Sequence, residues 1–241
     1  MRRFLLLFAG LVTLLASVVG SSESGTREYW VITDIGPGAA VDINESGQVV
    51  GRDAFVWQNG KKTQLGTLGR RRSGARAINN RGQVVGDSTT KNGTSHAFLW
   101  QNGTMRDLGT LGRNPPTSIA VTINDRGWVI GNSPAAGDWR PFLWRNGRMI
   151  NLGTLPGGDH SGVGAINERG QVIGSSGTSG PRPVSHAWIW EKGTMTDLGL
   201  LNPKSWWSSA AAINEHDQIV GNSTTARGKG RAVLWTLKHS T

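Results

Sequence analysis

The sequence lacks cysteine altogether, has a single tyrosine, and contains fewer acidic than basic residues, 16 against 26. Without cysteine there can be no disulfide framework, no thiolate nucleophile and no cysteine-based metal site. Glycine is abundant, with 35 residues, but it lacks the triplet period of collagen and accompanies 37% hydrophobic residues. This composition predicts a turn-rich globular protein and excludes a fibrous or disordered one.

Long apolar runs are also scarce, and the one that stands out lies at the N-terminus. Arg2 and Arg3 precede an uncharged run of 16 residues, 4–19, which ends near small residues. Because a membrane-spanning helix needs ~20 apolar residues, we predict a Sec-type signal peptide over residues 1–20 and a short linker over residues 21–28. An uncleaved anchor is the alternative. The mature protein is predicted to be secreted or periplasmic, with 24 basic and 16 acidic residues.

An internal repeat organises the rest of the chain. An Ile-Asn pair, followed by a turn and a short apolar strand, occurs five times. The copies begin at Ile43, Ile78, Ile123, Ile166 and Ile213. A strand that contains a tryptophan follows each copy, and successive tryptophans are 43 to 46 residues apart. Each repeat resolves into four short strands joined by turns that favour Asn and Gly, which is the size of one propeller blade.

We therefore predict an all-β fold, a five-bladed β-propeller of four-stranded blades, as a single domain over residues 29–241. The predicted blades span residues 40–66, 75–109, 119–153, 163–199, and 210–237 together with 29–36. The chain opens with the fourth strand of a repeat and closes after a third strand, so the N-terminal strand over residues 29–36 is predicted to complete the last blade. An open solenoid would gain nothing from this arrangement, because its terminal repeats are capped.

Two columns of the repeat are predicted to be structural. The asparagines begin each turn, where the side chain can bond to the backbone, and the tryptophans are expected to pack between blades. In the first strand of each repeat, the mostly small residue two before Asn and the Ile directly before Asn should face opposite neighbouring blades. Sugar stacking by the tryptophans is the alternative. The two columns are Asn44, Asn79, Asn124, Asn167 and Asn214, and Trp57, Trp100, Trp144, Trp190 and Trp235.

The repeat resembles a known family. His96-Ala97-Phe98 and His186-Ala187-Trp188, with the flanking LWQNG and DLGTLG segments, are similar to the HAF-type extracellular repeats of bacterial secreted proteins, over nearly all of residues 29–241. The resemblance implies export and a repeat architecture, and it supplies no catalytic residues. The histidine is present in two repeats only, and the others have Asp53, Arg140 and Arg231 at that position, so no shared histidine chemistry is expected.

Catalysis is not predicted. A glycosidase-like propeller, the enzymatic alternative, needs two carboxylates ~5–9.5 Å apart, and the innermost strands offer only Asp42. Asp159 and His160 form the one loop pair suited to acid-base or metal chemistry, but they lack a partner at metal-ligand spacing, which favours a solvated turn. No activated-serine pattern is present. We expect no catalytic residue, no cofactor and no metal.

The charge is predicted to be concentrated on one end of the blades. The segments that join a fourth strand to the next blade, or a second strand to a third, should emerge together, and we call them the loop face. They are residues 37–39, 52–53, 66–76, 87–96, 109–118, 132–140, 153–163, 175–186, 199–209 and 222–231. These segments hold 13 basic and four acidic residues, whereas the rest of the mature chain is nearly neutral. Arginine beside unpaired tryptophan suits acidic polymers and sugars.

We predict an exported, non-catalytic binding protein whose loop face binds an acidic glycan or cell-envelope polymer. The alternatives are a structural or protein-interaction scaffold that docks another exported protein, and a basic surface that serves solubility alone. We expect a monomer with no intracellular nucleic acid partner and no membrane span after signal cleavage. The candidate ligand-binding residues are Arg70, Arg71, Arg72, Arg76, Arg113, Trp139, Arg140, Arg182, Trp206, Trp207, Arg227 and Lys229.

Overall fold

A computed structural model of the chain describes residues 28–112, 114–178 and 183–238, and only the backbone of Arg71. The predicted signal peptide and nearly all of the predicted linker lie outside these residues. The chain divides into two units, residues 1–37 and residues 38–241. Within the described ranges every regular element is a β-strand, and the all-β prediction is confirmed.

Nineteen strands form five antiparallel sheets in the described part of the chain, and within each sheet every strand pairs with its neighbours in sequence. Sheet 1 contains β1 (Ala40–Ile43), β2 (Val49–Gly51), β3 (Phe55–Gln58) and β4 (Lys61–Gln64). Sheet 2 contains β5 (Gly69–Ile78), β6 (Val84–Thr90), β7 (Ser95–Gln101) and β8 (Thr104–Asp107). Sheet 3 contains β9 (Ile119–Ile123), β10 (Val129–Ala135), β11 (Asp138–Arg145) and β12 (Arg148–Asn151). Sheet 4 contains β13 (His160–Ile166), β14 (Val172–Gly177), β15 (Ser185–Glu191) and β16 (Thr194–Gly199), and sheet 5 contains β17 (Ser208–Ile213), β18 (Gln218–Thr224) and β19 (Gly230–Thr236).

Local turn chemistry explains why each repeat folds into hairpins. The tight turn between β7 and β8 places Asn102 at φ 50° and Gly103 at φ 82°, the left-handed region that Asn and Gly adopt most readily. The turn between the first and second strands begins at the repeated asparagine. In sheet 2 the Asn79 Oδ1 atom accepts hydrogen bonds from the backbone N–H groups of Arg81 and Gln83, at 3.1 and 2.9 Å.

The core lies between consecutive sheets. Ala77 and Ile78 are neighbours in β5 but belong to different hydrophobic clusters, because successive side chains of a strand point to opposite faces. Ala77 packs with sheet 3, whereas Ile78 packs with sheet 1. Trp144 and Trp190 are buried in the clusters on either side of sheet 3. The expected division of small residues and isoleucine between opposite neighbours is therefore present.

A ladder of asparagine side chains joins the repeats. The Nδ2 atom of each donor asparagine bonds to the backbone oxygen of the asparagine in the next repeat, at 2.9–3.1 Å. The donors are Asn44, Asn79, Asn124 and Asn167, all of them buried. One residue further along, a backbone N–H bonds to the side chain of the next repeat, as from Asp125 to Glu168 at 2.8 Å. Since one repeat binds the next in the same way each time, the sheets stack with a constant geometry.

The predicted strand over residues 29–36 is wrong in this structure. Residues 28–36 contain a single bridge residue, Val31, and no strand, and sheet 5 has three strands. In sheets 1 to 4 the fourth strand is joined to the third strand by a tight turn, which holds the pairing register. Residues 29–36 have no such hairpin partner next to them in sequence. In the described residues the outer faces of sheets 1 and 5, at Ile43, Val220 and Leu234, are exposed, so the predicted ring closure is not observed.

Candidate functional site

Buried serines hold the segments of the loop face in place. The hydroxyl oxygens of Ser88, Ser133, Ser176 and Ser223 each accept a hydrogen bond from the backbone N–H of a leucine that follows the preceding sheet's fourth strand, at 2.9–3.1 Å. Each hydroxyl then donates to a backbone carbonyl that lies in, or just before, the first strand of its own sheet. A buried hydroxyl with both its donor and acceptor satisfied is a stable tether. The loop face is therefore built on fixed segments.

Two adjoining cavities open beside these tethered segments. The larger, about 920 Å³, is lined by three arginines, Arg52, Arg72 and Arg76, and by Asp53 and Asp87. The smaller is about 600 Å³, and its walls differ. Because Arg76 and Val121 line both cavities, the two form neighbouring parts of one site.

The smaller cavity has an apolar wall. Ile119, Val121 and Trp139 line it together with His160. The indole of Trp139 is 43% exposed, although an aromatic ring of this size is usually covered in a globular protein. Apolar walls with a few polar groups are the usual composition of ligand sites. The cavity therefore offers an apolar surface directly beside the guanidinium of Arg76.

Arg76 is the charged centre of the site. Its Nε atom donates to Asp87 Oδ1 at 3.1 Å, and Asp87 Oδ2 accepts a hydrogen bond from Ser95 Oγ at 3.2 Å. The arginine side chain is 49% exposed. This pair orients the guanidinium without covering it. In the other repeats the residue three positions before the asparagine is uncharged: Val41, Val121, Gly164 or Ala211. An arginine at this position is therefore the sequence signal that distinguishes Arg76.

The other predicted ligand residues have different surroundings. Arg70 is exposed, and its Nε donates to the carbonyl of Lys91 at 3.1 Å. Arg140 is only 15% exposed, and it donates to the carbonyls of Trp139 and Asp159, so much of its side chain serves to hold the loops together. Trp207 is half-buried, whereas Trp206, Arg227 and Lys229 are exposed on the segments around sheet 5 and do not line either cavity. The side chain of Arg71, and all of Arg113 and Arg182, lie outside the described residues.

The residues considered for catalysis do not converge. The two Asp42 oxygens accept backbone N–H bonds from Ile43 and Ile78, at 2.9 and 2.8 Å, which links sheets 1 and 2. Asp159 Oδ1 contacts His160 Nδ1 at 2.6 Å. No group of three or more potential metal-ligating side chains occurs within the described ranges. Asp42 therefore has a structural contact of its own, and it lines neither cavity.

The two histidines of the HAF-like tripeptides make the same contact. His96 Nδ1 lies 2.8 Å from Asp107 Oδ2, and His186 Nδ1 lies 2.7 Å from Asp197 Oδ2. In both repeats the contact joins the third strand to the end of the fourth strand. The aspartates belong to the DLG segments, and the repeats without histidine form no such pair in the described part of the chain. The histidines thus contribute to the hairpin rather than to the cavities.

Comparisons with known proteins give a fold and no family. Among solved structures, a putative TolB from Agrobacterium tumefaciens is similar, with a TM-score of 0.52 and 12% identity over 83% of this chain and 76% of that chain. TolB from Acinetobacter baumannii has a TM-score of 0.47 and 13% identity, over 84% of this chain and 55% of that one. No protein-family model matches the sequence, and no curated protein matches it. In the described ranges no helix is long and apolar enough to cross a membrane. Because TolB chains are β-propellers, the likeness to the Agrobacterium protein shows a β-propeller-like fold.

Proposed function

We propose that this protein is an exported binding protein without catalytic activity, and that its loop face binds an acidic glycan or cell-envelope polymer. The observation that supports the proposal best is the larger cavity, where three arginines meet on the tethered segments of the loop face. Arginine binds carboxylate and phosphate groups with two parallel hydrogen bonds. Export is supported by the composition of residues 1–20.

The charge on the loop face extends beyond the cavity. Arg70, Arg71 and Arg72 follow one another at the start of β5, and Arg72 reaches the lining of the larger cavity. A polymer can contact the cavity and this arginine run at the same time, and each further contact raises the effective affinity. A row of cations also attracts a polyanion over longer distances at low salt. These features suit a chain-like acidic ligand.

The test is salt elution of the mature protein from a column of an anionic polysaccharide. The triple variant Arg70→Ala, Arg71→Ala, Arg72→Ala should elute at a clearly lower salt concentration, with binding about tenfold weaker, because each ion pair lost with the polymer contributes roughly 0.2–1 kcal/mol. Unchanged elution of this variant would overturn the proposal.

A matched control removes three charges from the opposite end of the sheets. Lys61, Arg148 and Lys192 all lie in or beside the tight turns between third and fourth strands. The variant Lys61→Ala, Arg148→Ala, Lys192→Asn has the same net charge as the triple arginine variant. It should elute like the unchanged protein if the loop face binds the polymer. Equal losses in both triple variants would indicate a general charge effect and contradict a specific face. A discrete exported protein that stays bound at high salt would instead support the scaffold alternative.

We also propose that the five sheets are the blades of a five-bladed propeller, in which the outer face of sheet 5 packs against the outer face of sheet 1. The support is repetition. Four interfaces between successive sheets are formed by the same columns of residues, and the two outer faces carry the two halves of a fifth such interface. Exposed apolar residues at both halves favour burial over solvent contact.

A further inference from the structure

We propose that Arg76 forms a subsite for the carboxylate of a uronic acid residue, whose sugar ring lies against the apolar wall of the smaller cavity. The inference rests on the proposed binding function and names the class of acidic glycan. It predicts that sugars with one carboxylate are preferred over sugars that also have sulfates. Four features support it: the position of Arg76, its free donors, the local charge balance and the wall beside it.

The position of Arg76 is not explained by the fold. It occupies a column of the first strand that holds Val41, Val121, Gly164 and Ala211 in the other sheets. In all four other repeats this column therefore holds an uncharged residue. A charged side chain costs side-chain entropy when it is held in place, and here it is held by Asp87 and lines both cavities. A cation fixed at a cavity wall that the packing does not need is best explained by a ligand.

The donors of Arg76 are arranged for a two-oxygen anion. The bond to Asp87 uses Nε alone. Neither terminal amino group of Arg76 bonds to any residue that the structure describes. These two groups form a planar fork that matches a carboxylate, with two parallel N–H···O bonds. Because Asp87 is itself held by Ser95, the fork is oriented before a ligand arrives, which lowers the entropic cost of binding.

The balance of charge selects for a single negative charge. The larger cavity has three arginines and two aspartates in its lining, so one positive charge is left uncompensated. One carboxylate neutralises it. A sugar with several sulfates would bring additional negative charge close to Asp53 and Asp87, and like charges at short range are unfavourable. The subsite should therefore discriminate between acidic sugars by charge number.

The wall of the smaller cavity fits the rest of a sugar residue. Trp139, Ile119 and Val121 offer apolar surface next to Arg76. A pyranose ring has a face of C–H groups that packs on an indole, while its hydroxyls stay in water. The cavity of about 600 Å³ is within the range of ordinary ligand sites. A uronic acid has both parts that this site can bind, a carboxylate and a ring with an apolar face.

The experiment compares three oligosaccharides by calorimetry with the mature protein. The ligands are an oligogalacturonide, the same oligosaccharide with its carboxylates methyl-esterified, and a heparin oligosaccharide of equal length. The oligogalacturonide should bind most tightly, and esterification should weaken binding about 10- to 100-fold because the charge-assisted bonds are lost. Equal affinity for the acid and the ester would overturn the carboxylate subsite.

Two variants assign the effect to the subsite. Arg76→Val introduces the residue that β1 and β9 have at this position, so the fold should be kept, and it should weaken oligogalacturonide binding about 10- to 100-fold. Its control is Arg148→Thr, which introduces the residue found at this position in β8 and β16, and it should bind like the unchanged protein. Asp87→Asn removes the repelling charge, and the heparin oligosaccharide should then bind more tightly than before. No gain for heparin would contradict the selection by charge number.

The outcomes separate the two proposals. If Arg76→Val binds the oligogalacturonide normally while the triple variant at residues 70–72 loses polymer retention, the binding function stands and the subsite is wrong. If no anionic polymer is retained but the oligogalacturonide binds through Arg76, the subsite stands and the role of the wider loop face is wrong. If neither ligand binds, both proposals are wrong. Circular dichroism and thermal unfolding of each variant establish that it is folded.

Discussion

Sheets 2, 3 and 4 are covered on both faces, whereas sheets 1 and 5 each expose one face that has the same residue types. Val85 of sheet 2 is 0% exposed, but Val220 at the same repeat position in sheet 5 is 49% exposed. Ile78 is 7% exposed, but Ile43 of sheet 1 is 63% exposed. The residue types are alike and the hairpins are alike. Burial in this protein is therefore decided by the neighbouring repeat and not by the repeat itself.

The asparagine ladder shows the same contrast. The side chains of the first four asparagines are buried and bonded to the following repeat. The side chain of Asn214, the fifth, makes only the bonds of its own turn in the described residues, with Gln218 and the backbone of His216, and it is exposed. If sheets 5 and 1 close the propeller as proposed, Asn214 finds the backbone oxygen of Asn44 and becomes equivalent to the others. A closed and an open arrangement therefore differ in what a substitution at the end sheets should cost.

Stability should change most when asparagine is exchanged for aspartate at two positions of the ladder. Aspartate keeps the oxygen that the turn needs and removes the donor that joins the repeats. Asn124→Asp should lower the free energy of unfolding by about 4 kcal/mol, because a buried charge then faces a carbonyl oxygen. In a closed propeller Asn214→Asp should cost about as much. Urea unfolding at neutral pH measures both, and an Asn214→Asp variant within about 0.5 kcal/mol of the unchanged protein would contradict closure.

The pH dependence of these variants provides a second measurement. Burial beside a carbonyl should raise the pKa of the introduced carboxyl in the folded protein above its value in the unfolded chain. The charged form is then the destabilising one. The loss of stability should therefore be largest at neutral pH and should shrink as the pH falls through the raised pKa. In an open structure the carboxyl that Asn214→Asp introduces stays in water, and the stability of that variant should show no such dependence.

The next largest effect compares two leucines of the same repeat column. Leu143 is 0% exposed and Leu234 is 59% exposed. Leu143→Ala should cost about 3 kcal/mol, since it removes buried methyl groups and leaves a cavity. If the outer faces of sheets 5 and 1 meet, Leu234→Ala should cost nearly the same, whereas a solvent-exposed leucine should lose less than about 0.5 kcal/mol. Thermal unfolding of the two variants, side by side, distinguishes these results.

The smallest effect concerns the tight turns, which should not depend on the neighbouring repeat at all. Lys192 has φ 51° at a turn position where other repeats have Asn59, Asn102 or Asn146. Lys192→Asn should raise the free energy of unfolding by about 0.5 kcal/mol, because Asn tolerates positive φ better than Lys does. Asn59→Lys in sheet 1 should lower it by a similar amount. If Asn59→Lys lowers the free energy of unfolding by more than Lys192→Asn raises it, sheet 1 at the end is locally weaker than sheet 4 in the interior.

Much of the fold is predictable because the repeat shows the same solution several times. The alternation of Ala77 and Ile78 between opposite cores follows from the period of a strand, and the turns follow from Asn and Gly. The expectation of a strand over residues 29–36 rests on the order of motifs alone. That strand is not formed in the structure. Residues 29–36 are similar in sequence to a fourth strand, but no third strand directly precedes them with which they could form a hairpin.

The site is predictable only in part. The concentration of arginine in the loop segments is visible in the sequence, but the cavity depends on how sheets 2 and 3 place Arg76, Val121 and Trp139 around one space. Arg140 illustrates the limit. Its sequence position is that of a free cation on the loop face, yet its guanidinium bonds to the carbonyl of Trp139 beside it in β11 and to the carbonyl of Asp159 in a neighbouring loop. Arg52, which lines the larger cavity, lies in a predicted segment of the loop face but is not among the predicted ligand residues.

The asparagine ladder has a consequence for how such a protein can change over time. Each amide donates to a main-chain oxygen of the following unit, and every amino acid supplies that oxygen. This bond is therefore insensitive to which side chain the following unit has at that position. Units of this kind can be duplicated, deleted or exchanged between genes without a matching substitution at the acceptor of this bond. Their loops are then free to diverge, which is how a single charged residue could be introduced at the wall of a cavity in one unit only.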